Sequence, residues 1–126
     1  MEDVLLYGEQ RRADGLSLLQ GPGNDLTAVC ALAAAGAQII LFTTGRGTPL
    51  GCPVPTLKIS SNSPLAAKKK NWIDFDAGRL LSGSPREELT RELADLVLAV
   101  ASGRQRAKAE SFDKSEITIF RDGVTL

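Results

Sequence analysis

Gln38-Ile39-Ile40-Leu41-Phe42, running straight into Thr43-Thr44-Gly45-Arg46-Gly47-Thr48-Pro49, is the stretch on which the fold turns. A run of this kind without apolar–polar alternation reads as a strand buried on both faces, the pattern of a parallel sheet. The loop that leaves the C-terminal end of such a strand is where open α/β sheets place ligands. Here that loop carries main-chain amides unshielded by side chains at Gly45 and Gly47, the hydroxyls of Thr43 and Thr44, and the planar fork of Arg46. The set suits a carboxylate or a phosphate. It also reads as a glycine turn with a solvated arginine, and spacing does not choose between the two.

Working outward on the N-terminal side, Leu16 to Leu19 reads as a short strand closed by Gly21-Pro22-Gly23. Asn24 or Asp25 then caps a helix running to about Ala35, with Gly36 as its C-terminal stop. Leu26, Val29, Cys30 and Leu32, with alanines between them, make that helix apolar nearly all round, so it is expected to be well covered. Strand, helix and strand within some thirty residues form a βαβ unit and imply a parallel pair. The loops at Gly21 and Gly45 would then leave one sheet edge and face one crevice. Gly23, Asn24 and Asp25 sit where helix amides favour an anion, although the local sequence reads first as a tight turn with a capping side chain. Neither nucleotide motif is complete: the third glycine of a dinucleotide fingerprint is missing, and no Gly-Lys-Ser/Thr follows.

On the C-terminal side, Thr56 to Ser60 is expected as a third strand. Asn62 or Ser63, with Pro64 as first helical residue, starts a short helix through Lys70. Trp72 to Phe75 reads as another extended piece. Ser84-Pro85-Arg86-Glu87 has the form of a capping box, after which Leu89, Leu93, Leu96, Val97 and Val100 fall on one helix face and Gly103 ends it. Residues 104 to 113 read as a charged loop, Glu116 to Phe120 as a last strand, and Asp122-Gly123 as a turn. The class is α/β, a Rossmann-like three-layer domain with a mainly parallel sheet. Residues 1–15 look like a lead-in or linker, and 16–126 like one domain.

Composition narrows the function. The 126 residues carry fifteen basic and fifteen acidic side chains, so no overall field recruits nucleic acid or an anionic membrane. Aromatics at 5% are too few for a base-stacking platform. Cys30 and Cys52 form no close metal-binding pair, and the acidic start Met1-Glu2-Asp3 is unlike a signal peptide. A reducing, cytoplasmic setting is expected. Histidine is absent, which removes the commonest general base and metal ligand from what the chain does alone.

Other candidates have two readings each. Lys58 sits inside a strand and either reaches the crevice or lies on an exposed face. Asn62 either donates to a ligand or caps its helix. Lys68, Lys69 and Lys70 read as a solvated helix face. Asp74 and Asp76 are spaced for one strand face, but two carboxylates are too few for a hard cation. Cys52 reads as structural.

Taken together, Gly21-Pro22-Gly23-Asn24-Asp25, Leu41 to Pro49, Pro55 to Ser63, Trp72-Ile73-Asp74-Phe75-Asp76-Ala77-Gly78 and the closing Gly123-Val124-Thr125-Leu126 resemble the C-terminal region of altronate and galactarate dehydratases. That family is in turn similar to sulfolactate sulfo-lyases. Its members are larger, so the resemblance implies either a piece cut from a longer enzyme or one subunit of a split one. It implies a hydro-lyase of sugar-acid catabolism that yields a 2-keto-3-deoxy acid. It also implies a divalent metal, iron by the usual assignment, with ligands mostly outside this chain. Implied partners are the sugar-acid substrate, the upstream domains or subunit, and a possible homodimer. On this reading Arg46 and Lys58 are the catalytic candidates, and Gly23, Asn24, Asp25, Thr43, Thr44, Gly45, Gly47 and Asn62 line the substrate. A non-catalytic scaffold is the competing expectation.

Overall fold

A computed structural model describes residues 1–119. Ten segments follow in order: β1 (Asp3–Leu5), β2 (Ser17–Leu19), α1 (Asp25–Ala34), β3 (Ile40–Thr44), β4 (Thr56–Ser60), α2 (Ser63–Lys68), β5 (Phe75–Asp76), a 3-10 helix (Ala77–Ser82), α3 (Arg86–Ala101) and α4 (Lys108–Ser111). The class is α/β, and every strand pair is parallel.

The strands fall into two sheets. β3, β4 and β5 form one in that order, with Ile40 opposite Thr56 and Phe42 opposite Lys58. β1 and β2 form the other, with Val4 opposite Leu18. This corrects the βαβ reading, because β2 and β3 flank α1 in sequence but belong to different sheets. The parallel unit with a helical crossover is instead β4–α2–β5. The first fifteen residues, polar enough to look like a lead-in, contribute β1. They are also tied to the end of α1 by a 2.9 Å bond from the Arg11 amide to the Ala35 carbonyl.

The central strand is β4, buried at all five positions, and side-chain alternation divides its neighbours. Leu57 and Ile59 face α3, meeting Leu93, Leu96, Val97 and Val100. Ile40 and Phe42 of β3 face α1, packing with Val29, Cys30, Leu50 and Cys52. Each fully buried aliphatic side chain here contributes roughly 1.5–3 kcal/mol. β3 is not buried on both faces as its apolar run suggested: Leu41 is 46% exposed and Thr43 is also exposed. The strand lies at the edge of the sheet among the described residues, and α3 packs over β4 instead.

Local signals mostly hold. Asn24 caps α1, and Asn62 caps α2 with Pro64 in its first turn. Gly36 ends α1 with φ near 111°, and Gly103 follows α3 with φ near 72°. The capping box does not form. Pro85 occupies the cap position of α3 in extended conformation, so Ser84 lies one residue too early to reach the helix amides. Residues 104 to 113 are not all loop, since α4 lies within them. Glu116 to Ile119 form no strand; Glu116 instead donates its amide to the Gly51 carbonyl at 3.0 Å. Phe120, the Asp122-Gly123 turn and the closing Gly123-Val124-Thr125-Leu126 lie outside the described residues.

Candidate functional site

The loop after β3 is a compact turn held from two sides. Thr44 Oγ1 accepts the Gly47 amide at 2.9 Å, while Asn62 Nδ2 donates to the Gly45 carbonyl at 3.1 Å and Lys69 Nζ to the Gly47 carbonyl at 3.2 Å. Gly47 has φ near 80°, and a Cβ there would come within 3.0 Å of both Lys69 and Leu65 side chains, so the turn requires glycine. Arg46 stands at its tip, exposed, with no hydrogen bond or ion pair among the described residues. The backbone of the loop is therefore fixed and its guanidinium is available.

Three expected site residues are occupied by structural work. Asn24 Oδ1 accepts the Thr27 amide at 3.1 Å, and Asn62 Oδ1 accepts the Leu65 amide at 2.9 Å, both as helix caps. Thr44 is spent on Gly47. Gly23 and Gly45 are exposed on their loops, Asp25 is exposed at the start of α1 and Thr43 near the end of β3. The start of α1 does approach the later half of the Arg46 loop: Asn24, Asp25, Thr48, Pro49 and Glu116 border one shallow hollow. Arg46 does not border it, so the single crevice expected between the Gly21 and Gly45 loops is not formed in that way.

Lys58 is buried, 1% exposed, and its register opposite Phe42 puts it on the α1 side of the sheet. It lines a cavity of about 170 Å³ with Pro49, Trp72, Lys108, Phe112 and Lys114. Burial pushes its pKa down, against the pull of the Asp74 and Glu116 carboxylates, and nearby Lys114 pushes the same way as burial. Arg46, Lys58 and Asn24 thus do not converge on one pocket, and Arg46 is not paired to Asp74 or Asp76 either.

Asp74 and Asp76 both accept main-chain amides. Asp74 accepts the amides of Lys58 and Lys108, one on each oxygen, both at 2.8 Å, and Asp76 caps the 3-10 helix through the Gly78 amide at 2.9 Å. Cys30 and Cys52 are free thiols in the α1-facing core, and burial pushes the Cys52 thiol up. No group of three potential ligands for a metal occurs among the described residues.

Sequence reading missed Lys69. Its ammonium lies 4.5 Å from the centroid of the Trp72 ring while holding Gly47, so the lysine run is only partly a solvated face. A Lys-Lys-Lys-Asn-Trp string beyond a short helix was the available signal, and its partner is a loop twenty residues upstream.

A family model described as D-galactarate/altronate dehydratase, C-terminal, matches residues 1–125. The chain belongs to this family. It is 53% identical over 124 residues to the altronate dehydratase of Escherichia coli K12, covering 98% of this chain and 25% of that protein. Identity to the altronate dehydratase of Bacillus subtilis 168 is also 53%, over 125 residues, with the same two shares. The galactarate dehydratase (L-threo-forming) of E. coli K12 is 31% identical over 112 residues, 87% of this chain and 21% of that protein. The chain therefore spans about a quarter of the length of the curated relatives it matches. No helix among the described residues of this dehydratase-family domain is long and apolar enough to cross a membrane.

Proposed function

We propose that the chain is the C-terminal part of a sugar-acid hydro-lyase acting on altronate. One observation carries this: the match runs over 98% of the chain at 53% identity to two altronate dehydratases, against 31% to a galactarate dehydratase. In such a reaction a base removes the proton beside the carboxylate, the β-hydroxyl departs with a proton from an acid, and the enol tautomerises to a 2-keto-3-deoxy acid. Negative charge grows on the carboxylate as the enediolate forms, so positive charge placed there lowers the barrier.

Arg46 has the properties for that part. Its backbone is pinned through Gly45 and Gly47, its guanidinium is unpaired among the described residues, and its planar fork matches a carboxylate in two parallel hydrogen bonds. Lys58 adds a buried ammonium reachable through the hollow it lines. The family resemblance implies iron, but the described residues do not fit a metal. Histidine is absent, the cysteines are buried in the core, and the Asp74 oxygens hold main-chain amides. The ligands and the principal base belong, on this reading, to the remaining three-quarters of the enzyme, and no step here runs through the metal.

The test is turnover of altronate and galactarate by a full-length enzyme carrying this chain, beside the 126-residue chain alone. The full enzyme is expected to form the 2-keto-3-deoxy acid from altronate, and the isolated chain to form none. Preference for galactarate would overturn the substrate, and turnover by the isolated chain would overturn the division of labour.

A further inference from the structure

The chain has six lysines, and all six border two adjoining hollows that share Asn71 and Trp72. Lys58, Lys108 and Lys114 line the first, and Lys68, Lys69 and Lys70 the second. They arrive from four separate places: β4, the end of α2, the start of α4 and the segment after α4. In a chain of zero net charge, such a gathering is a local property of the fold rather than of composition.

The ammonium groups are not equally engaged. Lys108 Nζ donates to the carbonyls of Lys70 and Ile73, and Lys69 Nζ to that of Gly47, which stiffens the rim. The Lys58 and Lys114 ammonium groups make no hydrogen bond or ion pair among the described residues, although Lys58 is 1% exposed. Its near carboxylates are accounted for in part, since both oxygens of Asp74 already hold amides. Burying an ammonium is costly without a partner, and a fold that does so beside a cavity leaves room for an anion to supply one. The first hollow, about 170 Å³, is several times the roughly 30 Å³ share of one water. Trp72, Phe112 and Pro49 give it apolar walls.

We propose that this hollow is a binding site for a carboxylate group of a small hydroxy acid, with Lys58 at its base, Lys114 at its rim and Trp72 as its wall. The Trp72 ring offers a flat face to the C–H groups of a hydroxylated chain, and lysine heads on flexible stems suit a monoanionic carboxylate. The arginine fork and glycine amides that commonly cradle phosphate are not among the lining residues. Lys69 links the wall to the Arg46 loop through Gly47, so the site adjoins the one assigned above. The choice of a sugar acid as ligand rests on the dehydratase reading; the carboxylate site itself does not.

Trp72 is the only tryptophan in the chain, so it reports on its own hollow. The 126-residue chain is titrated with sodium altronate, sodium galactarate and sodium phosphate at constant ionic strength, following tryptophan emission. Saturable change with the sugar acids is expected at millimolar concentration or below. The Lys114→Ala and Lys58→Met variants are expected to weaken it at least tenfold, and Arg91→Ala, on the exposed side of α3, to leave it unchanged. A flat titration, a response as strong to phosphate as to the acids, or an unchanged curve in Lys114→Ala would overturn the proposal. Lys114→Ala removes a rim side chain, so its result stands even if Lys58→Met fails to fold. A saturable carboxylate response with no dehydratase activity in the full enzyme would keep this site and remove the function proposed above. Turnover by the full enzyme with a silent Trp72 would do the reverse.

Discussion

Asp74 and Lys58 are joined twice, the Asp74 amide donating to the Lys58 carbonyl at 2.9 Å and the Lys58 amide donating to Asp74 Oδ2 at 2.8 Å. The carboxylate thus stands in for a strand main chain where β5 has not yet begun. Its other oxygen takes the Lys108 amide and seats α4 against β4.

Replacing Asp74 by alanine should leave two main-chain donors without a partner. At about 1–3 kcal/mol for each such group, the loss of stability is expected at about 2–6 kcal/mol, read from urea unfolding. Asp74→Asn keeps one acceptor oxygen and should fall between the two. A loss under about 1 kcal/mol in Asp74→Ala would show that water replaces the carboxylate freely.

Lys58 makes stability depend on alkaline pH. The unfolded chain holds the proton up to the ordinary lysine pKa near 10.4, whereas burial makes the folded chain release it earlier. Between those two values the unfolded state binds more protons, so stability rises with pH. Lys58→Met, which keeps the stem and removes the charge, should flatten that rise and raise the melting temperature at neutral pH. Parallel pH profiles for the two proteins would contradict the assignment.

Two glycines should respond very differently to the same methyl group. A Cβ on Gly78 would lie 2.3 Å from the Ser63 amide nitrogen and 2.5 Å from the Asn62 Cα, where backbone has nowhere to go. Gly78→Ala is expected to cost about 3 kcal/mol or more, through overpacking of the α2 cap. Gly21→Ala meets nothing within 4 Å and needs no left-handed backbone, so it should change stability by less than about 0.5 kcal/mol. Equal melting temperatures for both variants would rule out the close approach.

Arg46 separates chemistry from stability. It touches no partner among the described residues, so Arg46→Ala should leave the melting curve in place. In the full enzyme the same change should lower kcat/KM by about a hundredfold or more, roughly 3 kcal/mol. Arg46→Lys should recover only a minor part, because an ammonium has no planar fork. Near-normal turnover in Arg46→Ala would remove the residue from the reaction.

Much of the local structure was legible because its causes are local. Asn24, Asn62, Pro64, Gly36 and Gly103 mark helix ends through groups within four residues, and each does so in the fold. The readings that failed depended on distant neighbours. The apolar run at β3 records hydrophobicity but not whether a helix lies over Leu41. β1 pairs with residues fourteen positions further on, which three residues of Asp-Val-Leu do not announce. Lys58 looked like an exposed strand residue or a crevice residue in equal measure. What buries it comes from Trp72, α4 and Lys114, as many as 56 positions away in sequence. Arg46 was legible as a candidate because a flanking glycine pair already fixes a turn.

The confinement of lysine to one neighbourhood also governs how the molecule meets reagents. Acylating labels, amine cross-linkers and aldehyde fixatives act on side chains that occur only around Asn71 and Trp72, apart from the amine of Met1. A molecule coupled to a solid support through its lysines would turn that face to the support. Any binding measured in that format would report the rest of the surface.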